Sequence, residues 1–95
     1  MDWEGAGLAP RGYDVAWCRF DLYLLHGRAI ADEFAAHYER TTGVVLPDLS
    51  AWDRFAALWP AADIESWTGN YGPLGRPDLT PAELRRRHTA WLLMV

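Results

Sequence analysis

The stretch Asp14-Val15-Ala16-Trp17-Cys18-Arg19-Phe20-Asp21-Leu22-Tyr23-Leu24-Leu25-His26 decides the fold of this chain. An apolar stripe at helical spacing runs along it through Val15, Cys18, Leu22 and Leu25, and Trp17, Phe20 and Leu24 widen that stripe. Only Arg19 and Asp21 remain clearly polar, and a helix that is apolar nearly all round is buried in its domain. We therefore predict a central helix over residues 14–26. Asp14 is expected as its N-cap and Gly27 as the left-handed residue after its end.

Two helices are predicted directly after the central one. The second runs from about residue 28 to 41, with a buried face of Ile30, Phe34, His37, Tyr38 and Thr41. The third is capped by Asp48 or Ser50, and Ser50 with Asp53 forms a loose capping box. Pro60 ends the third helix, whose buried face is expected to hold Leu49, Trp52, Phe55, Ala56 and Trp59.

The C-terminal third contains the strongest local helix signal. Thr80 is predicted as an N-cap, with Pro81 at the first helical position and Glu83 placed to reach back to the N-cap amide. Leu79 and Leu84 occupy the hydrophobic staple positions of the same helix. This helix runs to the terminus with Leu84, Trp91, Leu92 and Val95 inward. Before it, residues 61–67 form one or two turns, residues 68–78 are irregular, and residues 44–47 form an extended connector.

The pattern predicts a single all-α domain of four to five helices, with residues 1–13 as a loop and residues 14–95 as helices. A chain of 95 residues buries only about two thirds of its unfolded surface. Six Trp are more than so small a core readily encloses, so some are expected to face a partner or the rest of a larger domain. Self-association through exposed apolar surface would follow.

Composition restricts the possible partners and sites. A net charge of −4 argues against nucleic acid, which needs a basic face. The single Cys18 excludes an internal disulfide and is expected to be a buried small hydrophobe. His26, His37 and His88 lack the spacing of metal ligands and are expected to be structural. No signal peptide or apolar run of about 18 residues is present, so we expect a soluble, cytoplasmic protein with no membrane contact.

Two short motifs near the start carry a family resemblance. Met1-Asp2-Trp3-Glu4 is followed by the Gly/Pro-rich residues 5–12 and then by Tyr13-Asp14-Val15-Ala16. In this order and at this distance the motifs resemble the metal-binding segment of the aminoglycoside phosphotransferase-like family, which has a protein-kinase-like fold. The resemblance extends to the whole chain as that fold's C-terminal helical subdomain, although the motifs occupy only the first 16 residues.

The resemblance implies an ATP-dependent phosphoryl transfer to a hydroxyl of a small molecule, with Mg²⁺ held partly by Asp2. It also implies that Asp14 braces the catalytic loop. The family's His-Gly-Asp loop and its phosphate-contacting Lys have no counterpart in this sequence, so the chain alone is not expected to catalyse or to bind Mg²⁺ and ATP. We expect an open reading frame upstream of Met1 that encodes His-Gly-Asp. The acceptor stays open among aminoglycosides, macrolides, choline-like compounds and sugars.

Two other interpretations stay open. The chain could be a non-catalytic helical interaction module that uses its Trp surface, or an unrelated helical protein with a chance motif match. Five acids, Asp32, Glu33, Asp53, Asp63 and Glu65, could meet a cationic substrate, but a surface role is favoured. The run Arg85-Arg86-Arg87 could contact phosphate. Because consecutive residues spread around a helix, pairing with Glu83 and other acids is favoured.

Overall fold

A computed structural model describes residues 11–95, which fold into five α-helices and two short 3₁₀ helices, with no strand among them. Helices α1 to α5 span Arg11–His26, Arg28–Thr42, Leu49–Leu58, Thr68–Tyr71 and Pro81–Met94. The 3₁₀ helices span Ile64–Trp67 and Gly72–Leu74. The predicted all-α fold is confirmed for this part of the chain, in which no helix is long and apolar enough to cross a membrane.

Helix α1 is the central helix, as predicted, and it contacts α2, α3 and α5. It begins at Arg11, three residues before the predicted start, so Asp14 lies in its first turn and not at the N-cap. The N-cap prediction for Asp14 is therefore wrong. An Asp favours the first turn as well as the cap, because the carboxylate also interacts with the positive end of the helix dipole. The residue type alone does not distinguish an N-cap from a first-turn position.

The core consists of two clusters on either side of α1. The larger joins Phe20, Tyr23 and Leu24 of α1 to residues of the C-terminal half, including Ile64, Leu79, Leu84 and Trp91. The smaller joins Val15 to Ala35 of α2 and to Leu46 of the extended connector. Helix α1 thus contributes buried residues to both clusters.

Helix α2 packs through only part of the predicted face: Phe34 and Tyr38 are half-buried against the smaller cluster. Its buried residues are Ala31 and Ala35, whereas Ile30 is 40% exposed and His37 and Thr41 are exposed. Small side chains let α2 approach α1 closely, which the spacing of large apolar residues did not reveal. Helix α2 ends at a left-handed Gly43 with φ of +72°.

Helix α3 differs most from prediction. Asp48 holds the N-cap position but makes no side-chain capping bond, and Ser50 lies inside the helix, so the Ser50–Asp53 capping box is wrong. Asp53, Ala56 and Ala57 are buried, so the prediction is confirmed for Ala56, and the predicted Leu49 and Trp52 are half-buried. Phe55 and Trp59, predicted inward, are exposed.

Helix α5 matches its prediction closely. The Thr80 hydroxyl accepts a hydrogen bond from the Glu83 amide at 3.2 Å, and Leu79 and Leu84 are both fully buried. Trp91 is also fully buried. The Glu83 side chain does not return to the N-cap amide, because its carboxylate binds Arg86 and Arg87 of its own helix.

Candidate functional site

The two residues predicted from the family motifs have different outcomes. Asp2, the predicted Mg²⁺ ligand, lies outside the described residues together with the rest of the Asp-Trp-Glu motif, so its role stays a prediction. Asp14 lies exposed in the first turn of α1. Its role as a brace for a catalytic loop also stays a prediction.

A buried arginine joins three helices at the centre of the domain. Arg19 of α1 is 4% exposed and forms a bidentate pair with Asp53 of α3, with Nε–Oδ1 at 3.0 Å and Nη2–Oδ2 at 2.9 Å. Its Nη1 donates to the Ala31 carbonyl at 3.0 Å and to Asp32 Oδ1 at 3.1 Å, both on α2. Burial raises the pKa of the Asp53 carboxyl, and the Arg19 guanidinium opposes that rise.

The fourth helix at this centre is α5. The Trp91 ring lies 5.4 Å from the Arg19 guanidinium carbon and 5.8 Å from that of Arg28, which are cation–π distances. The Trp91 indole N–H is buried with no hydrogen-bond partner. Each nitrogen of Arg19 already donates to an acceptor, so this residue fixes helix positions and offers little to a ligand. The prediction that Asp53 is a surface acid is wrong.

A cleft of about 380 Å³ opens beside this ion pair. Arg19, Arg28, Asp32 and Asp53 contribute to its lining, and they are bonded to one another. Glu39 also lines it and accepts from the Leu46 amide at 2.8 Å. Most of the charged side chains in this cleft are therefore bonded within the protein, where they hold α1, α2 and α3 together.

A second feature is an exposed aromatic face built by α1 and α3. We define it by Tyr13, Trp17, Trp52, Phe55 and Trp59. Tyr13 lies at the centre, with ring centroids 6.3 Å from Trp17, 6.1 Å from Trp52 and 5.8 Å from Phe55. Phe55 continues to Trp59 at 6.4 Å. Trp59 is 64% exposed and Phe55 is 45% exposed, so the face ends in open apolar surface.

The aromatic face depends on a glycine beneath it. Gly12 is buried in the first turn of α1, and a Cβ added there would lie 2.5 Å from Trp52 Cδ1. Only a glycine lets the α1 backbone approach the Trp52 ring this closely. The sequence placed Gly12 in a loop, and no pattern of apolar residues could have shown its contact with a tryptophan 40 residues away.

Cys18 and the histidines do not form a reactive or metal site. Cys18 is exposed, so its prediction as a buried hydrophobe is wrong. Partial desolvation and the nearby Asp14 and Asp21 raise the pKa of the Cys18 thiol, which disfavours the nucleophilic thiolate. His88 is buried and its Nε2–H donates to the Ala57 carbonyl at 2.8 Å, which is a structural role. Within residues 11–95, no group of three or more His, Cys, Asp or Glu could hold a metal ion.

The arginine run of α5 pairs with acids, as predicted. Arg85 binds Glu65 with both contacts at 2.7 Å, and Arg86 and Arg87 both bind Glu83. These guanidinium groups lower the pKa of the Glu65 and Glu83 carboxyls to about 2. The five candidate acids for a cationic substrate therefore do not converge: Asp32 and Asp53 surround Arg19, and Glu65 binds Arg85.

No family model matches this sequence, and no curated protein or solved structure matches it significantly. Phe55 and Trp59 of the aromatic face are among the exposed large apolar side chains of the described residues.

Proposed function

We propose that this chain is the C-terminal helical subdomain of an ATP-dependent small-molecule phosphotransferase, similar to the aminoglycoside phosphotransferases. The reaction would transfer the γ-phosphoryl group of ATP to a hydroxyl of the acceptor. The observation that carries the proposal is the exposed aromatic face, because a subdomain that normally packs against a catalytic core would present such a surface.

The position of the aromatic face supports this assignment. Tyr13 and Trp17 belong to the first two turns of α1, which follow the Asp-Trp-Glu motif in the chain. In the resembled family, that motif lies in the catalytic core that precedes the helices. A core joined to the start of α1 would therefore be close enough to cover Phe55 and Trp59, whose side chains are 45% and 64% exposed.

The roles of the residues follow from the resemblance. Asp2 would hold Mg²⁺, which neutralises the charge of the transferred phosphoryl group. Arg19 and Asp53 would have a structural role, because they are bound to each other. The catalytic Asp, the second metal ligand and the nucleotide site would belong to a preceding lobe. The role of residues 11–95 would be to support that lobe and to form part of the acceptor pocket.

The second candidate is a non-catalytic helical interaction module. The same aromatic face favours it, because exposed Trp and Phe side chains are typical of protein–protein contact surfaces. The two candidates differ in what covers the face: a lobe of the same polypeptide, or a separate protein. They also differ in whether Asp2 has a chemical role.

The decisive experiment tests a longer chain. The DNA upstream of the Met1 codon is read in frame, the extended protein is produced, and ATP consumption is measured with a panel of aminoglycoside, macrolide, choline-like and sugar acceptors. We expect an encoded His-Gly-Asp loop, acceptor-dependent phosphorylation, and loss of that activity in Asp2→Asn. A stop codon next to Met1, or activity unaffected by Asp2→Asn, would overturn the proposal.

A matched pair of variants tests the aromatic face. Trp59→Ser removes its most exposed ring, and Leu93→Ser is the control because Leu93 is 83% exposed on α5. In the 95-residue chain, Trp59→Ser should reduce binding of a hydrophobic dye more than Leu93→Ser does. In the extended protein, only Trp59→Ser should lower the melting temperature. Equal effects of the two substitutions in both proteins would mean that the core does not cover this face.

A further inference from the structure

We propose that the cleft between the end of α1 and α5 binds a small phosphoryl-bearing anion. The cleft has a volume of about 350 Å³ and is lined by Tyr23, Leu25, His26, Gly27, Arg76, Arg86 and Arg87. Three of the seven lining residues are arginines and none is a carboxylic acid. In a chain of net charge −4, this concentration of positive charge from separate segments indicates an anion site.

The arginines are held in place by the end of α1. Arg87 Nη1 donates to the Leu24 carbonyl at 2.7 Å, and Arg76 Nη1 donates to the Leu25 carbonyl. The Tyr23 hydroxyl donates to the Arg87 carbonyl at 2.9 Å. These contacts fix two guanidinium groups before any ligand arrives, which lowers the entropic cost of binding.

Two acids neutralise the arginines only in part. Glu83 binds Arg86 and Arg87 through their Nε atoms and the Arg86 Nη2 atom, and Asp78 binds Arg76 through Nε and Nη2. Among residues 11–95, Arg86 Nη1 and Arg87 Nη2 have no acceptor. Three positive charges against two negative ones leave a net positive cleft with free N–H donors.

The arginine geometry suits a phosphoryl group. Guanidinium groups bind phosphate oxygens through paired, charge-assisted hydrogen bonds. Gly27, which lines the cleft, holds the N-cap position of α2, so the cleft adjoins the positive end of that helix. The site lies within the described residues and does not involve Asp2, so it is independent of the proposed phosphotransferase activity.

The test is a titration of the full chain with inorganic phosphate at constant ionic strength, monitored by ¹H–¹⁵N NMR. Sodium acetate is titrated in parallel to distinguish a phosphoryl group from other anions. Glycerol phosphate is titrated to distinguish a phosphomonoester from free phosphate. We expect saturable shifts of the Gly27 and Arg28 amides with phosphate or glycerol phosphate, and none with acetate. Equal shifts with acetate, or no saturation with either phosphate compound, would overturn the proposal.

Two matched variant pairs locate the site. Arg86→Gln should weaken phosphate binding about tenfold, since it removes a charge-assisted contact, whereas Arg40→Gln on the surface of α2 should leave it unchanged. Glu83→Gln should strengthen binding several-fold by freeing Arg86 and Arg87. Glu33→Gln makes the same change of charge elsewhere and should have no effect. Equal effects within either pair would mean that phosphate responds only to net charge.

Discussion

Arg19 and Asp53, 34 residues apart in the sequence, form a bidentate ion pair in which the arginine is 4% and the aspartate 2% exposed. The pair connects α1 to α3, and Arg19 also contacts the Ala31 carbonyl and Asp32 of α2. Because Trp91 of α5 lies against the same guanidinium, one side chain joins four helices. A buried pair of this kind specifies how helices fit together more than it adds to net stability.

Asp53→Ala should destabilise the domain severely, by about 3–5 kcal/mol, because it leaves the Arg19 charge buried without its main partner. Asp32→Ala is the matched control. The Asp32 side chain is 51% exposed, so its loss should cost less than about 1 kcal/mol. Urea unfolding followed by circular dichroism gives both values.

A double variant separates the ion pair from packing. Arg19→Met with Asp53→Leu replaces both charges with apolar groups, and it should recover much of the stability lost in Asp53→Ala. If Asp53→Ala and Asp32→Ala were equally stable, the buried pair would not organise the helices.

Gly12→Ala should destabilise the packing of α1 on α3 by about 1–3 kcal/mol, since the new Cβ would lie 2.5 Å from Trp52 Cδ1 and 2.9 Å from Nε1. Gly69→Ala is the control, because an added Cβ there meets nothing within 4 Å. It should be neutral or slightly stabilising. Thermal melts and the Trp fluorescence of each variant measure the effect. A fluorescence spectrum unchanged by Gly12→Ala would contradict the close contact.

The sequence predicted the number of helices and the N-cap of the C-terminal helix, because both depend on local signals. Thr80, Pro81 and Leu84 act within one turn, and their order is enough to predict the start of α5. The Arg19–Asp53 pair was missed because it depends on residues distant in sequence. A single Arg within an apolar helix was the available signal, and the sequence did not indicate whether it faced solvent or a buried acid.

The aromatic face was missed for a related reason. Apolar periodicity indicates that one side of a helix avoids water, but it cannot say whether the rest of the same chain covers that side. Phe55 and Trp59 belong to the predicted inward stripe of α3, yet within that stripe only Ala56 is fully buried. The excess of Trp in the composition did predict that some would face outward.

Thr80→Ala should destabilise the domain by about 1 kcal/mol, because the Glu83 amide loses its hydrogen bond to the Thr80 hydroxyl. Thr80→Ser keeps the hydroxyl and should retain most of the stability. Thr89→Ala, at an exposed position inside α5, is the control and should change stability by less than about 0.5 kcal/mol. Chemical denaturation ranks the three variants. The cap would be unimportant if Thr80→Ser and Thr80→Ala were equally destabilised.

Acid should destabilise the domain through two carboxylates, Glu65, which ties α5 to the preceding 3₁₀ helix, and Glu83, which pairs within α5. The pKa values of Glu65 and Glu83 are lowered from 4.5 to about 2 by their arginine partners, Arg85 for Glu65 and Arg86 with Arg87 for Glu83. A carboxyl with a lowered pKa in the folded state contributes stability that is fully present above pH 4.5 and is lost as the pH falls towards 2. Because these pairs are partly exposed, 1 M salt should reduce the effect. Melting temperatures should fall less steeply from pH 6 to pH 2 in Glu65→Gln than in the unmodified chain.

Glu33→Gln is the control, because Glu33 has no bond to an arginine of α5, and it should follow the unmodified chain. Identical slopes for all three proteins would contradict the Arg85–Glu65 pairing.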